Sequence, residues 1–189
     1  MIDKIINEAS GAVTAAVEGV DDILDAVTKT VKDQVVNVIQ GGADIGGSTI
    51  DAITSVADGS IRGAGKVGAS VTDTSFGTLQ AVVKGVSETG GDVLGAIRAA
   101  ATGVVQAAGD TGADIGNVAV SAVEGAIKAA GDVGEDTAQA ARSAVGGSID
   151  AATGIGGDAA EKVRSALLSA ASLPRDVIES ILKGSGEKK

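Results

Sequence analysis

Cysteine, histidine, tryptophan and tyrosine are absent from this chain of 189 residues, and proline, phenylalanine and methionine occur once each. Without cysteine and histidine there are no disulfides, no thiolate or imidazole chemistry, and none of the usual ligands for zinc or haem. With a single aromatic residue, the thick core that a globular chain of this length normally builds lacks its usual material. Positive charge is in deficit: 15 Lys and Arg stand against 25 Asp and Glu, a net −10. That balance argues against nucleic acid and against simple attraction to anionic lipid. No uncharged apolar run reaches the roughly 18 residues that would span a bilayer. Met1-Ile2-Asp3-Lys4 lacks the basic and apolar regions of a secretory leader. A soluble, cytoplasmic protein is the expectation.

Small residues fill the space that the absences leave. There are 29 glycines, and the apolar 44% is mostly Ala, Val and Ile. The glycines are ordered: Gly46, Gly68, Gly90, Gly112, Gly134 and Gly156 lie 22 residues apart, and the same phase reaches back through Leu24 to Ile2. Twenty-two residues are two elevens, and eleven residues close about three turns of helix. In one copy the apolar set is Gly112, Ile115, Gly116, Ala119 and Ala122, then Val123, Ala126, Ile127, Ala130 and Val133. These positions gather on one face of an α-helix, and their adjacent pairs break strand alternation. A solenoid of 22-residue coils, possibly β, is the competing architecture, and the alanine content and 3-4 spacing weigh against it.

The predicted fold is therefore all-α: a long amphipathic Gly/Ala-rich helix, or helical hairpins, of 22-residue double-hendecad repeats forming a straight or right-handed coiled coil. The repeat rod is expected over residues 2–173, with its last copy ending near 177. A single rod would measure roughly 260 Å at 1.5 Å per residue. The expected breaks are Gly41–Gly47, Thr72–Gly77 and Gly154–Gly157. Ser172-Leu173-Pro174 should end the rod, because proline lacks the N–H and clashes within a helix. A short amphipathic helix over 174–183 carries Val177, Ile178, Ile181 and Leu182 on one side, and 184–189 should be a disordered tail.

Each helical glycine costs about 1 kcal/mol relative to alanine, so such a helix needs a surface to pack on. Small residues let backbones approach closely. The expected self-association seam is Gly46, Gly68, Gly90, Gly112, Gly134 and Gly156, with Ala57, Leu79, Ala101, Val123 and Val145 midway between them. Residues 1–40, with Ile2, Ile5, Ile6, Ala9, Val13, Val17, Val20 and Ile23 on one face, either nucleate association or cap the end of an array.

Two motifs suggest other chemistry. Gly63-Ala64-Gly65-Lys66-Val67-Gly68 matches the letters of a dinucleotide fingerprint, but no buried strand precedes it and Val67 stands where a phosphate loop needs Ser or Thr. Asp92, Asp114, Asp136 and Asp158 share one repeat position, and Glu88, Asp110 and Asp132 lie four residues before the first three. Such a ladder could hold Ca²⁺ or Mg²⁺ between neighbouring rods; a solvated acidic face is the reading preferred. No catalytic, cofactor or metal residues are assigned, and a non-enzyme is expected.

Val27-Thr28-Lys29-Thr30-Val31-Lys32-Asp33-Gln34-Val35-Val36-Asn37-Val38, followed by glycines, resembles the eleven-residue repeats of synucleins. Ala140–Val145 and Ala159–Arg164 are similar to repeats of exchangeable apolipoproteins and late-embryogenesis-abundant proteins. Over residues 2–177 the pattern resembles hendecad coiled coils. The coiled-coil likeness implies a structural protein, a fibre, scaffold or spacer, whose partners are copies of itself. The synuclein and apolipoprotein likeness implies an alternative, a helix that coats a lipid surface; the late-embryogenesis likeness implies a desiccation protectant.

Overall fold

From Val71 to Ile155 the chain folds one unit four times over. Each unit is a 19-residue helix: α3 (Val71–Thr89), α4 (Val93–Thr111), α5 (Ile115–Val133) and α6 (Thr137–Ile155). Successive starts lie 22 residues apart, so three residues remain for each turn. The computed structural model describes residues 22–40 and 46–184, and every regular element among them is an α-helix. Residues 22–40 form α1; α2 is Gly46–Val67, α7 is Gly157–Ser169 and α8 is Arg175–Gly184.

The turns follow from two residues. Gly112 sits at φ +73° and Gly134 at φ +81°, the left-handed region that glycine enters without a Cβ clash. The next N–H then reaches back to a carbonyl five residues earlier, Ala113 to Ala108 at 2.9 Å and Glu135 to Ala130 at 2.8 Å. This closes the helix with its last carbonyls satisfied. Two residues after each glycine an aspartate begins the next helix: the Asp114 carboxylate accepts from the N–H groups of Gly116 and Asn117, and that of Asp136 from Ala138 and Gln139. Asp92 and Ser70 do the same for α4 and α3. Gly-x-Asp thus stops one helix and starts another.

The helices form two layers. α1, α3, α5 and α7 make one; α2, α4, α6 and α8 make the other. The most extensive contacts join helices two apart, α2 with α4, α4 with α6 and α3 with α5, while consecutive helices share less. Ser60 of α2 meets Thr78 of α3 at 2.8 Å across their turn, so consecutive helices run antiparallel. Those within a layer run parallel, since Arg98 lies beside Gly147 and Gly109 beside Ile155.

Glycine sets the spacing within each layer. A Cβ added at Gly103 would overlap the carbonyl oxygen of Thr54, and one at Gly147 that of Arg98. In the other layer a Cβ at Gly125 would lie 2.5 Å from the carbonyl oxygen of Phe76. Ion pairs strap the same neighbours on the outside: Lys32 to Glu88, Arg62 to Asp110, and Arg98 to Asp150. The core is accordingly a sheet of Ala, Val and Ile between layers, with Leu79, Ile97, Val104 and Val123 fully enclosed.

All-α is what the sequence predicts. The uninterrupted rod does not form between Gly46 and Ile155; the chain turns back on itself as hairpins, at Gly68, Gly90, Gly112 and Gly134. The expected break at 72–77 lies inside α3, while Gly156 alone separates α6 from α7. The chain does stop before Pro174, with α7 ending at Ser169 and α8 starting at Arg175. In α8, Ile178 and Leu182 face inward at 1% and 9% exposure, with Val177 and Ile181 half-buried beside them. The expectations for 1–21, for 41–45 and for 185–189 fall outside the described residues, whereas Gly46 and Gly47 of the expected break begin α2 and Gly184 of the expected tail ends α8.

Candidate interaction surface

The eleven residues of the expected seam divide into two groups. Ala57, Leu79, Ala101, Val123 and Val145 sit in the middle of α2 to α6 and are wholly enclosed by this chain's own helices. Gly68, Gly90, Gly112 and Gly134 sit in the turns between helices, exposed, and Gly156 lies half-buried at the α6–α7 junction. Gly46 opens α2. The two halves of the 22-residue repeat thus lie at opposite places in each hairpin unit, and no single surface carries both.

The acidic ladder is likewise spoken for. Asp92, Asp114 and Asp136 are helix caps. Hydrogen bonds from the Gln139 backbone, its side-chain amide and the Ala138 N–H hold the Asp136 carboxyl below the usual carboxylate range. Asp110 pairs with Arg62 at 2.5 Å, Glu88 with Lys32 at 2.6 Å, and Asp132 with Lys128 at 3.4 Å. Asp58 and Asp110 together hold the Arg62 guanidinium above its ordinary pKa. Asp158 lies in the first turn of α7, where no side chain makes the cap. Among the described residues no group of three or more carboxylates could hold a metal ion. Gly63–Gly68 forms the last turn of α2 and its left-handed stop, not a loop opening a helix.

One surface stands apart. Between α1 and α2, at the N-terminal end of the array, a groove of about 620 Å³ is lined by Ile23, Ala26, Val27, Thr30, Val31 and Gln34 from α1. Ser55, Val56, Gly59, Ser60, Gly63 and Val67 line it from α2. None of the twelve carries a charge, in a chain whose net charge is −10. Val67 is 62% exposed, the most open large apolar side chain among the described residues. No described atom lies within 4 Å of a Cβ built at Gly59 or Gly63, whereas Gly103 and Gly147, the counterparts of Gly59 in α4 and α6, touch backbone. The sequence does not mark this surface, because its residues repeat those buried elsewhere; its place at the end of the array leaves it without a cover among the described residues.

No described helix is long and apolar enough to cross a membrane. Comparison of the chain with protein-family models, with curated proteins and with solved structures finds no match.

Proposed function

We propose that this is a non-enzymatic structural protein, a scaffold or spacer, that self-associates through a small-residue apolar helix face. The face is the α1–α2 end of the array, and copies add there in the eleven-residue register of hendecad coiled coils. The observation that carries this reading is the uncharged groove flanked by Gly59 and Gly63. Small residues permit close backbone approach, and apolar surface removed from water stabilises the contact by about 25 cal/mol per Å². A neighbour that brings a similar helix gains what α4 gains on α2. The seam residues enclosed inside the chain stabilise the array itself, so the copies meet at its end.

Light scattering across a concentration series tests this. The mass should rise above the 18.1 kDa of one chain as concentration increases. Val56→Asp, which places a charge in the groove, should hold the protein at the mass of one chain. A mass that stays at one chain's at the highest concentration, both in the wild type and in a variant whose groove is freed, sinks the reading.

A further inference from the structure

We infer that residues 1–18 seat in the α1–α2 groove of their own chain, as the next helix outward from α2, and that by covering this face they limit the self-association proposed above. The seat is argued from the array alone; the limiting role rests on that proposed function.

The register comes first. Gly59, Gly103 and Gly147 lie 44 residues apart, two repeats. Gly147 receives the backbone of Arg98, and Gly103 that of Thr54, which are themselves 44 residues apart. Each helix of this layer therefore takes its predecessor at the same glycine. Gly59 holds the same position in α2, with no described atom against it. Another step of 44 before Thr54 falls on Ser10, near the middle of residues 1–18. In the other layer the first contact is displaced by one helical turn: Gly125 meets Phe76, but Gly85 rather than Ala81 meets Lys32. The same displacement in α2 moves the landing from Gly59 to Gly63, which also lines the groove.

Chain direction agrees. Ile23 lines the groove, so the preceding segment leaves from its edge. Gly19-Val20-Asp21 repeats the Gly-x-Asp pattern that reverses the chain at 90–92, 112–114 and 134–136. A turn of that kind would send 1–18 antiparallel to α1 and so parallel to α2, as every other pair within a layer runs. The apolar set Ile2, Ile5, Ile6, Ala9, Val13 and Val17 supplies a face to match an uncharged groove. At the far end of the array, α8 already covers α6 in this way, with Ile178 and Leu182 turned inward. Terminal units with a polar outer face are what repeat arrays need to stay soluble. A tether of a single turn gives the chain's own segment a high effective concentration over any other copy's.

The absence of cysteine makes the test clean. Ser10→Cys in the full chain carries a nitroxide, and amide signals of ¹⁵N-labelled protein report proximity. Gly59 and Gly63 signals should be lost and should return on reduction of the nitroxide. In a mixture of spin-labelled unenriched chain with ¹⁵N chain lacking the nitroxide, they should persist. Loss in neither sample, or loss only in the mixture, overturns the seat. The double variant Ile5→Asp, Ile6→Asp, which leaves the groove intact, should restore the signals and increase the mass in light scattering at a fixed concentration. Restored signals with a mass unchanged from an associating wild type overturn the limiting role. If neither protein exceeds one chain's mass while the signal loss stays intramolecular, the seat stands and the self-association reading fails.

Discussion

Glycine does opposite things at different positions of this chain, and its neighbours decide which. At Gly103 the missing Cβ is what lets α4 lie against the Thr54 carbonyl of α2. At Gly65, exposed in the last turn of α2, an added Cβ meets nothing within 4 Å. Alanine is the better helix former by about 1 kcal/mol, so Gly65→Ala should stabilise the protein by about 0.5–1 kcal/mol. Gly103→Ala should instead destabilise it by about 1–3 kcal/mol, because the two helices must separate. Urea midpoints of the two variants should move in opposite directions; a gain at both sites would mean that the close packing of the layer is not strained by a methyl group. The helical period makes the inner residues Ala119, Val123 and Ala126 legible in the sequence. It does not reveal Ser121, Gly125 and Ala129 on another side of α5, which are also buried. Small side chains carry too little apolar signal to mark a contact face.

At the scale of an element, each helix is defined by its two ends. Asp136 shows how the start is held: its carboxylate takes hydrogen bonds that favour the charged form, so its folded pKa lies below the unfolded value of about 3.9. A lowered carboxylate pKa gives stabilisation that is complete above the unfolded value and is lost as pH falls through the folded one. The Asp136 carboxyl carbon should therefore titrate below about 3.9 by NMR. Asp136→Asn, which retains a capping oxygen, should remove this residue's share of the acid destabilisation of α6. A midpoint at or above the unfolded value would contradict the capping geometry. The turns themselves were hidden from periodicity for a simple reason. A 19-residue helix plus three turn residues makes 22, so the apolar pattern passes through each reversal in phase. Thr72–Gly77, rich in Thr and Ser, looks like a break and is helix, because Ser75 donates to the Val118 carbonyl at 3.1 Å and packing outweighs weak propensity.

Over the whole molecule, stability is a matter of neighbours, as in any array where each unit touches only those nearby. α3 to α6 all have partners on both sides within their layers, and α4 and α5 lie furthest from the two ends. Native-state hydrogen exchange should therefore be slowest in α4 and α5, and faster towards α1 and α8. Uniform protection from α1 to α8 would show a single cooperative unit instead. The ion pairs outside the layers, such as Lys32 with Glu88, are exposed at 36% and 56% and add little to this ordering. Those straps and the close glycine contacts both join residues some 50 positions apart, two helices along the chain.

The sequence by itself determined that the chain is helical, that it is built in units of 22, and that each unit buries a stripe of Ala, Val and Ile. These follow from local periodicity, which a helix displays whether it is straight or folded back. It also placed the stop before Pro174, because proline's effect on a helix is local as well. Tertiary structure alone decided that Gly68, Gly90, Gly112 and Gly134 are turns rather than contacts. It also decided that the seam's larger residues face inward, and that no other described helix covers the groove between α1 and α2. A glycine fits equally well inside a close-packed helix or at a left-handed stop, and only the contacts made by distant helices choose between them.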